Sequence, residues 1–207
     1  MRDVAENHAP SSVCFVSFAS MGEGVEGGCH FEWANALMGL RVAHVLMRDA
    51  RMHWYQQGVD GIGGIDDVAA YVRSLKDRYD RVISLGVSMG GFGALLFGTL
   101  ADVEVVAINP QTVVDVGCAL RPQDRRWADS WPKEAPRGDV AALPPGASRV
   151  RIFVGAGDHA HRDDDIWHAR RCTWARMSLV PDEDHVSTGK YLRNNGYFRH
   201  LISNPAL

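Results

Sequence analysis

The sequence predicts an α/β fold with a mostly parallel central sheet flanked by helices and no large cap domain. Short apolar runs, typical of strands buried on both faces, alternate along the chain with segments of helical spacing. A G-x-S-x-G sequence, Gly86–Gly90, directly follows one of these runs and directly precedes a small-residue segment that can form a helix. Two later apolar runs each lead into a polar loop, one containing Asp158 and the other His185.

Each predicted element follows from its own local pattern. The run Val13–Phe18 is short and continuously apolar, as a buried strand should be. The segment 66–78 carries its apolar residues at helical spacing, and Asp66 or Asp67 can cap it. Asn109-Pro110 ends the run 103–108, because proline cannot continue a strand ladder. The strand candidates are 13–18, 41–47, 81–85, 103–108, 149–154 and 176–180; the helix candidates are 31–38, 66–78, 91–98, 163–171 and 187–194.

Length and composition favour one soluble globular domain spanning 1–207. The chain has 207 residues, of which 46% are hydrophobic and 23% charged. The formal net charge is -3 without a basic tract, so no nucleic-acid partner is predicted. No apolar stretch is long enough to span a bilayer, and 1–12 lacks the apolar core of a signal peptide, so a cytoplasmic location is expected. The 4 cysteines are scattered and predict neither a zinc site nor a disulfide framework.

The segment 117–147 differs from the rest of the chain. It is rich in proline, carries mixed charge and contains Trp127 and Trp131. This composition predicts an irregular excursion over the sheet rather than a separate domain. The alternative is that the excursion acts as a partial lid over a site.

Ser88 is the candidate nucleophile. It lies at the centre of Gly86–Gly90, between the apolar run 81–85 and a helix-forming segment. This strand–turn–helix context is what a nucleophile elbow requires, because the tight turn holds the serine at strained backbone angles. Glycines two residues before and two after the serine remove side chains that would collide in the turn. The pattern therefore predicts a serine hydroxyl at the C-terminal edge of a parallel sheet, above a helix N-terminus that favours developing negative charge.

The acid and the base that would activate Ser88 are predicted from two later loops. A serine hydroxyl is a poor nucleophile until a base removes its proton and a third group orients that base. Asp158 follows the strand candidate 149–154, and His185 follows the strand candidate 176–180. Both loops then lie at the sheet edge where ligands bind in open parallel sheets. We therefore predict that Asp158 orients His185 and that His185 deprotonates Ser88.

The segment 159–168 contains rival candidates for both roles. Asp163–Asp165 is more naturally the negatively charged first turn of a helix. The histidines of the segment 159–168 lie too close in sequence to Asp158 to come from a separate loop. The run His159–Asp164 resembles the H-x-H-x-D-H metal signature of metallo-β-lactamase-like hydrolases, but Asp164 replaces the final histidine. The other ligands of that family have no counterparts, so no metal is predicted.

The order serine, acid, histidine along the chain is that of α/β-hydrolase-fold serine hydrolases. The chain resembles a compact member of that group without a large cap. The resemblance covers 13–194, nearly the whole chain. Within that superfamily, Phe18–Gly22, the pair Trp54-Tyr55 and Gly86–Ala94 are similar to small hydrolase domains found beside polysaccharide-biosynthesis genes. The resemblance implies an esterase- or thioesterase-like enzyme that needs no cofactor.

An oxyanion hole follows from the same interpretation. One donor is expected to be the backbone N–H of Met89, the residue after the nucleophile. The second is expected from Ser20 or Met21, in the loop after the first predicted strand. The common His-Gly pair of the family is absent there, and Ala19–Gly22 stands in its place.

Three further residues are candidate substrate contacts. Trp54 and Tyr55 follow the second predicted strand, and their rings either stack on a sugar or acyl group or pack the loop against the body. Asn109 ends a strand, so its amide is expected to face the pocket.

The sequence thus predicts a serine hydrolase that acts on a small-molecule or glycan acyl ester, or on a thioester. Three alternatives stay open: an acyltransferase with a sugar or amine acceptor, a non-catalytic binding module on the same fold, and a peptidase. A homodimer formed through a sheet edge or helix face is also open. No membrane partner is expected.

Overall fold

The computed structural model describes residues 3–21, 31–114, 133–144 and 146–204. These residues build a 7-stranded sheet in the order β1-β3-β2-β4-β5-β6-β7. The first strand runs antiparallel to β3, and every other neighbouring pair is parallel. The strands are β1 Val4–Asn7, β2 Val13–Phe18, β3 Ala43–Met47, β4 Arg81–Val87, β5 Glu104–Ile108, β6 Val150–Gly155 and β7 Arg176–Val180.

Helices cover both faces of the sheet. They are α1 Ala34–Leu40, α2 Ile65–Ser74, α3 Met89–Ala101, α4 Arg162–Arg171, α5 Ser187–Asn194 and α6 Tyr197–Ser203. Helices α1 to α4 follow strands β2, β3, β4 and β6, and helices α5 and α6 follow the last strand. Two short 3₁₀ turns, Leu75–Asp77 and Val140–Ala142, add to them. Helix α3 follows the central strand β4 and is buried along most of its length, so the residue that joins β4 to α3 is held by the core of the protein.

Two hydrophobic clusters, one on each face of the sheet, fill the space between strands and helices. In one of them Phe18 of β2 stacks on Phe97 of α3, with ring centroids 5.1 Å apart. In the other, Phe15 of the same strand packs edge-on against Phe198 of α6 at 6.4 Å. The alternating faces of β2 therefore anchor a helix on each side of the sheet.

The six predicted strands are all present, but two elements were missed. Strand β1 has only 4 residues and the pattern VAEN, two of them exposed, so it carries little periodic signal. Helix α6 begins just after Gly196 and contributes the buried Phe198 and Leu201. The first part of the predicted excursion, with Trp127 and Trp131, lies outside the described residues. The part that is described, 133–144, contains the turn Val140–Ala142.

Candidate active site

Ser88 lies in the sharp turn between β4 and α3. Its backbone has φ 53° and ψ -119°, a conformation that is strained for a residue with a side chain. The Ser88 N–H donates to the carbonyl oxygen of Ile108 at 3.0 Å, and its carbonyl oxygen accepts from Phe92 N at 3.0 Å. The end of β5 and the first turn of α3 therefore hold the strained residue in place.

The two outer glycines of the G-x-S-x-G sequence are required by backbone contacts. A Cβ on Gly86 would lie 2.0 Å from the carbonyl oxygen of Gly90. A Cβ on Gly90 would lie 2.1 Å from the carbonyl oxygen of Phe18. Neither backbone atom can give way as a flexible side chain could, so the elbow closes only with glycine at both positions.

His185 lies in the loop between β7 and α5, and its ring is hydrogen-bonded to a buried carboxylate. The His185 Nδ1 and Asp165 Oδ2 atoms are 2.8 Å apart. Only 1% of the Asp165 side chain is exposed, against 15% of the His185 side chain. A carboxylate on Nδ1 fixes the orientation of the ring and leaves Nε2 as the position that can accept a proton.

The carboxylate beside His185 is a correction to the sequence prediction, which assigned this position to Asp158. Asp158 is exposed in the turn after β6. Asp165 instead lies in the first turn of α4, on the buried face that it shares with His168 and Ala169. These residues are spaced i, i+3 and i+4, so helical periodicity places Asp165 on the inner side of the helix, whereas Asp163 and Asp164 are more exposed.

Asn109 holds the histidine loop. Its side-chain Nδ2 donates to the carbonyl oxygen of His185 at 2.9 Å and lies 3.4 Å from that of Asp184. Its Oδ1 accepts from Gly155 N at 2.9 Å. Asn109 is fully buried and has φ 43°, a left-handed conformation that asparagine tolerates better than most residues. Asn109 was predicted as a substrate contact. It is instead a positioning residue that ties the ends of β5 and β6 to the loop carrying His185.

The predicted oxyanion donors differ in their surroundings. Met89 is the first residue of α3, and an N–H in the first turn has no partner within the helix. The Ser20 N–H, by contrast, donates to Glu32 Oε2 at 3.1 Å, and the Ser20 hydroxyl donates to Glu32 Oε1. Met21 lines the same cavity as Ser88. Of the two residues predicted to supply the second donor, Ser20 is engaged by Glu32 and Met21 lines the cavity.

Burial raises the pKa of Glu32 above its ordinary value, and the hydrogen bonds from Ser20 oppose this in part. The carboxyl group ties the loop after β2 to the segment that precedes α1. A second bond, from Ser17 Oγ to the Glu32 carbonyl oxygen at 3.2 Å, joins the end of β2 itself to the segment before α1. No pattern in the sequence distinguished Glu32, because this contact spans 12 residues of chain.

Trp54 and Tyr55 pack in the core, which corrects their prediction as substrate contacts. Both are fully buried, and neither lines the cavity that contains Ser88. The Tyr55 hydroxyl donates to the carbonyl oxygen of Ala19 at 2.8 Å, and its ring packs edge-on against Phe18. Tyr55 thus packs against the loop after β2. This is the second of the two predicted alternatives, in which the rings pack a loop against the body of the protein.

Ser88 and His185 open into one cavity of about 510 Å³. Its walls come from the loop after β2, from 31–36 at the start of α1, and from one face of α5. Among the described residues, Ser88 Oγ makes no hydrogen bond with His185. Such bonds are often long in free enzymes and shorten when substrate binds.

The described part of the chain contains no group of three or more histidine, cysteine or acidic residues placed to hold a metal ion. None of its helices combines the length and apolar character needed to cross a membrane.

Comparison with known proteins gives matches in structure only. No protein-family model matches the chain, and no curated protein matches it in sequence. The capsule O-acetyltransferase of Neisseria meningitidis serogroup A aligns over 97% of this chain and 91% of that chain, with a TM-score of 0.65 and 14% identity. An esterase from Thermogutta terrifontis, solved with propionate bound, aligns over 96% and 86%, with a TM-score of 0.57 and 13% identity.

A third similar structure is an α/β hydrolase from a metagenome of lagoon sediments at Mar Chica, Morocco. It aligns over 96% of this chain and 92% of that chain, with a TM-score of 0.56 and 17% identity. Likeness at such identities concerns the fold, and it confirms the predicted fold class. The chain has the α/β-hydrolase fold, with a mostly parallel sheet and flanking helices.

Proposed function

We propose that this α/β-hydrolase-fold protein is a serine hydrolase that cleaves an ester or a thioester through an acyl-enzyme on Ser88. His185 is the general base and Asp165 orients it. The observation that carries the proposal is the combination of a strained Ser88 at the elbow with a His185–Asp165 pair on the same cavity. Nucleophile, base and orienting acid come from three separate segments and converge there.

The first half of the reaction forms the acyl-enzyme. Ser88 Oγ attacks the acyl carbonyl carbon while His185 Nε2 takes the hydroxyl proton. Asp165 stabilises the resulting imidazolium through Nδ1. The carbonyl oxygen becomes negative and accepts from Met89 N–H, at the positive end of α3. When the tetrahedral intermediate collapses, His185 returns the proton to the leaving alcohol or thiol.

The second half releases the acid. Water enters as the nucleophile, His185 takes its proton, and the same oxyanion donors hold the second tetrahedral intermediate. Collapse returns the proton to Ser88 Oγ and restores the free enzyme. The substrate class proposed is a small-molecule or glycan acyl ester, or a thioester.

An acyltransferase is the second candidate. The structural neighbour with a TM-score of 0.65 is a capsule O-acetyltransferase, so this fold supports O-acetyl transfer in another protein. The chemistry up to the acyl-enzyme is the same, and only the final acceptor differs. A transferase would form more product with a sugar or amine acceptor than with water, which separates the two candidates by product analysis.

Labelling with a fluorophosphonate probe tests the proposal. The wild-type protein should be labelled, and labelling should be lost in Ser88→Ala and slowed by about 10³-fold or more in His185→Ala. Ser203→Ala and His200→Ala, both changes on α6, are matched controls that should be labelled like the wild type.

The outcomes separate the alternatives. Labelling that survives Ser88→Ala would contradict the proposal, and a folded wild-type protein that is never labelled would favour the binding module. Labelled protein that cleaves peptides but not short acyl esters or thioesters would favour the peptidase.

A further inference from the structure

One face of helix α5 forms a wall of the candidate active-site cavity. The residues on this face that line the cavity are Val186, Gly189, Lys190 and Arg193. Their spacing places them on one stripe of the helix. At Gly189 the helix approaches closely, since a Cβ there would lie 3.3 Å from Trp33 and from Val87, the residue before Ser88. Gly189 therefore places the middle of the stripe beside the residue that precedes Ser88.

Lys190 and Arg193 continue the stripe along the helix axis. With a rise of about 1.5 Å per residue, Arg193 lies about 6 Å from Gly189 along the helix axis. Both side chains are exposed and reach the cavity. A substrate whose acyl group is at Ser88 and whose remaining atoms lie along this wall would contact both Lys190 and Arg193.

The two cations lack carboxylate partners among the described residues. Arg193 Nε donates to Asn194 Oδ1 at 3.2 Å, which leaves the rest of its guanidinium group available. The acidic residue that lines the cavity, Glu32, is occupied by the two hydrogen bonds from Ser20. Burial also raises the pKa of Glu32, which weakens its negative charge further. Among the described residues that line the cavity, Lys190 and Arg193 therefore have no carboxylate that pairs with their positive charge.

We propose that Lys190 and Arg193 form an anion subsite for a phosphate or carboxylate that the substrate carries beyond its scissile acyl bond. The assignment rests on the proposed function, because it places the subsite in the cavity where Ser88 would hold the acyl group. A guanidinium fork and an ammonium group suit either anion. Basic residues near a helix C-terminus also complement its dipole, but that role does not require them to face a cavity.

Two matched substrate pairs test the subsite and show which end of the substrate carries the charge. Acetyl-coenzyme A and S-acetylpantetheine share their thioester, and only the first has phosphates on the leaving-group side. The 4-nitrophenyl esters of succinate and butyrate share their leaving group, and only the first has a carboxylate on the acyl side. The readout is the ratio of kcat/KM for the anionic member to kcat/KM for the neutral member.

The double variant Lys190→Gln/Arg193→Gln should lower this ratio about tenfold in one of the two pairs, since exposed charge pairs are individually weak. The preference of the wild type should also shrink as salt is added, because screening acts on exposed charges. Arg199→Gln, a change of the same kind on α6, should leave the ratio unchanged. Ratios that are equal in the double variant and the wild type for both pairs would overturn the subsite.

The subsite and the proposed function fail in distinguishable ways. Turnover of the neutral esters with unchanged ratios overturns the subsite and leaves the hydrolase in place. If no ester is turned over, titration calorimetry on the Ser88→Ala protein decides. Binding of coenzyme A that weakens about tenfold in the double variant supports the subsite, and absence of binding overturns it.

Discussion

Ser88 and His185 reach the same cavity by different means. The turn around Ser88 is closed by backbone contacts, with Gly86 against the carbonyl oxygen of Gly90 and Gly90 against that of Phe18. The loop around His185 is held by side chains, with Asp165 on the imidazole ring and Asn109 on the backbone. Backbone atoms thus hold the proposed nucleophile, and side chains from other segments hold the proposed base.

This difference predicts different responses to mutation. Changes on the nucleophile side should act on stability, because a side chain there collides with backbone that cannot move away. Changes around His185 should act first on activity, because each hydrogen bond there orients the proposed base while the sheet beneath it stays intact. The four predictions below run from the largest expected effect to the smallest.

Asp165→Asn should lower kcat/KM by about 10³- to 10⁴-fold. An amide at this position cannot stabilise the imidazolium and favours the wrong tautomer of His185. The matched change Asp158→Asn, in the exposed turn, should stay within a few-fold of the wild type. Steady-state kinetics on a short acyl ester would check both, and the opposite ranking would restore Asp158 as the orienting acid.

Gly90→Ala should destabilise the protein by about 3 kcal/mol or prevent folding, because its Cβ would lie 2.1 Å from the Phe18 carbonyl oxygen. Gly39→Ala is the control. Gly39 lies in α1, and a Cβ added there would have no neighbouring atom within 4 Å, so alanine should stabilise by about 0.5–1 kcal/mol. Urea unfolding would measure both changes. A well-folded Gly90→Ala protein would refute the idea of a closed elbow.

Asn109→Gly should lower kcat by about 10- to 100-fold and the free energy of unfolding by about 1–3 kcal/mol. Glycine keeps the left-handed backbone but leaves Gly155 N–H and the His185 carbonyl oxygen without their partner. KM should change less than kcat, because the loss is one of base orientation. A change confined to KM would return Asn109 to the role of a substrate contact.

Glu32→Gln should alter the pH dependence of the free energy of unfolding. Since burial raises the pKa of Glu32, the folded state favours the protonated acid. The stability that this preference contributes is complete below the ordinary glutamate pKa and is lost as pH rises through the raised pKa. The variant should lack that decline, because glutamine still pairs with Ser20 but does not ionise. Urea unfolding from about pH 4 to pH 8 would test it, and parallel curves for both proteins would contradict it.

The surroundings of Ser88 and those of His185 also differ in how far the sequence predicts them. Ser88 could be predicted from the sequence because an elbow is specified by five adjacent residues, Gly86–Gly90. His185 was accessible because its loop directly follows the last strand. Asp165 was missed because the acid was expected in the loop immediately after β6, whereas the chain supplies it from the buried face of α4.

Local pattern alone determined the α/β class, the six parallel strands and the position of the serine, because apolar runs and glycine sterics act over a few residues. The tertiary structure decided which carboxylate lies beside His185. It also placed Trp54 and Tyr55 in the core and Asn109 beneath the histidine loop. The physical reason is that these roles depend on contacts between segments far apart in the chain, which only the packed sheet brings within hydrogen-bonding distance.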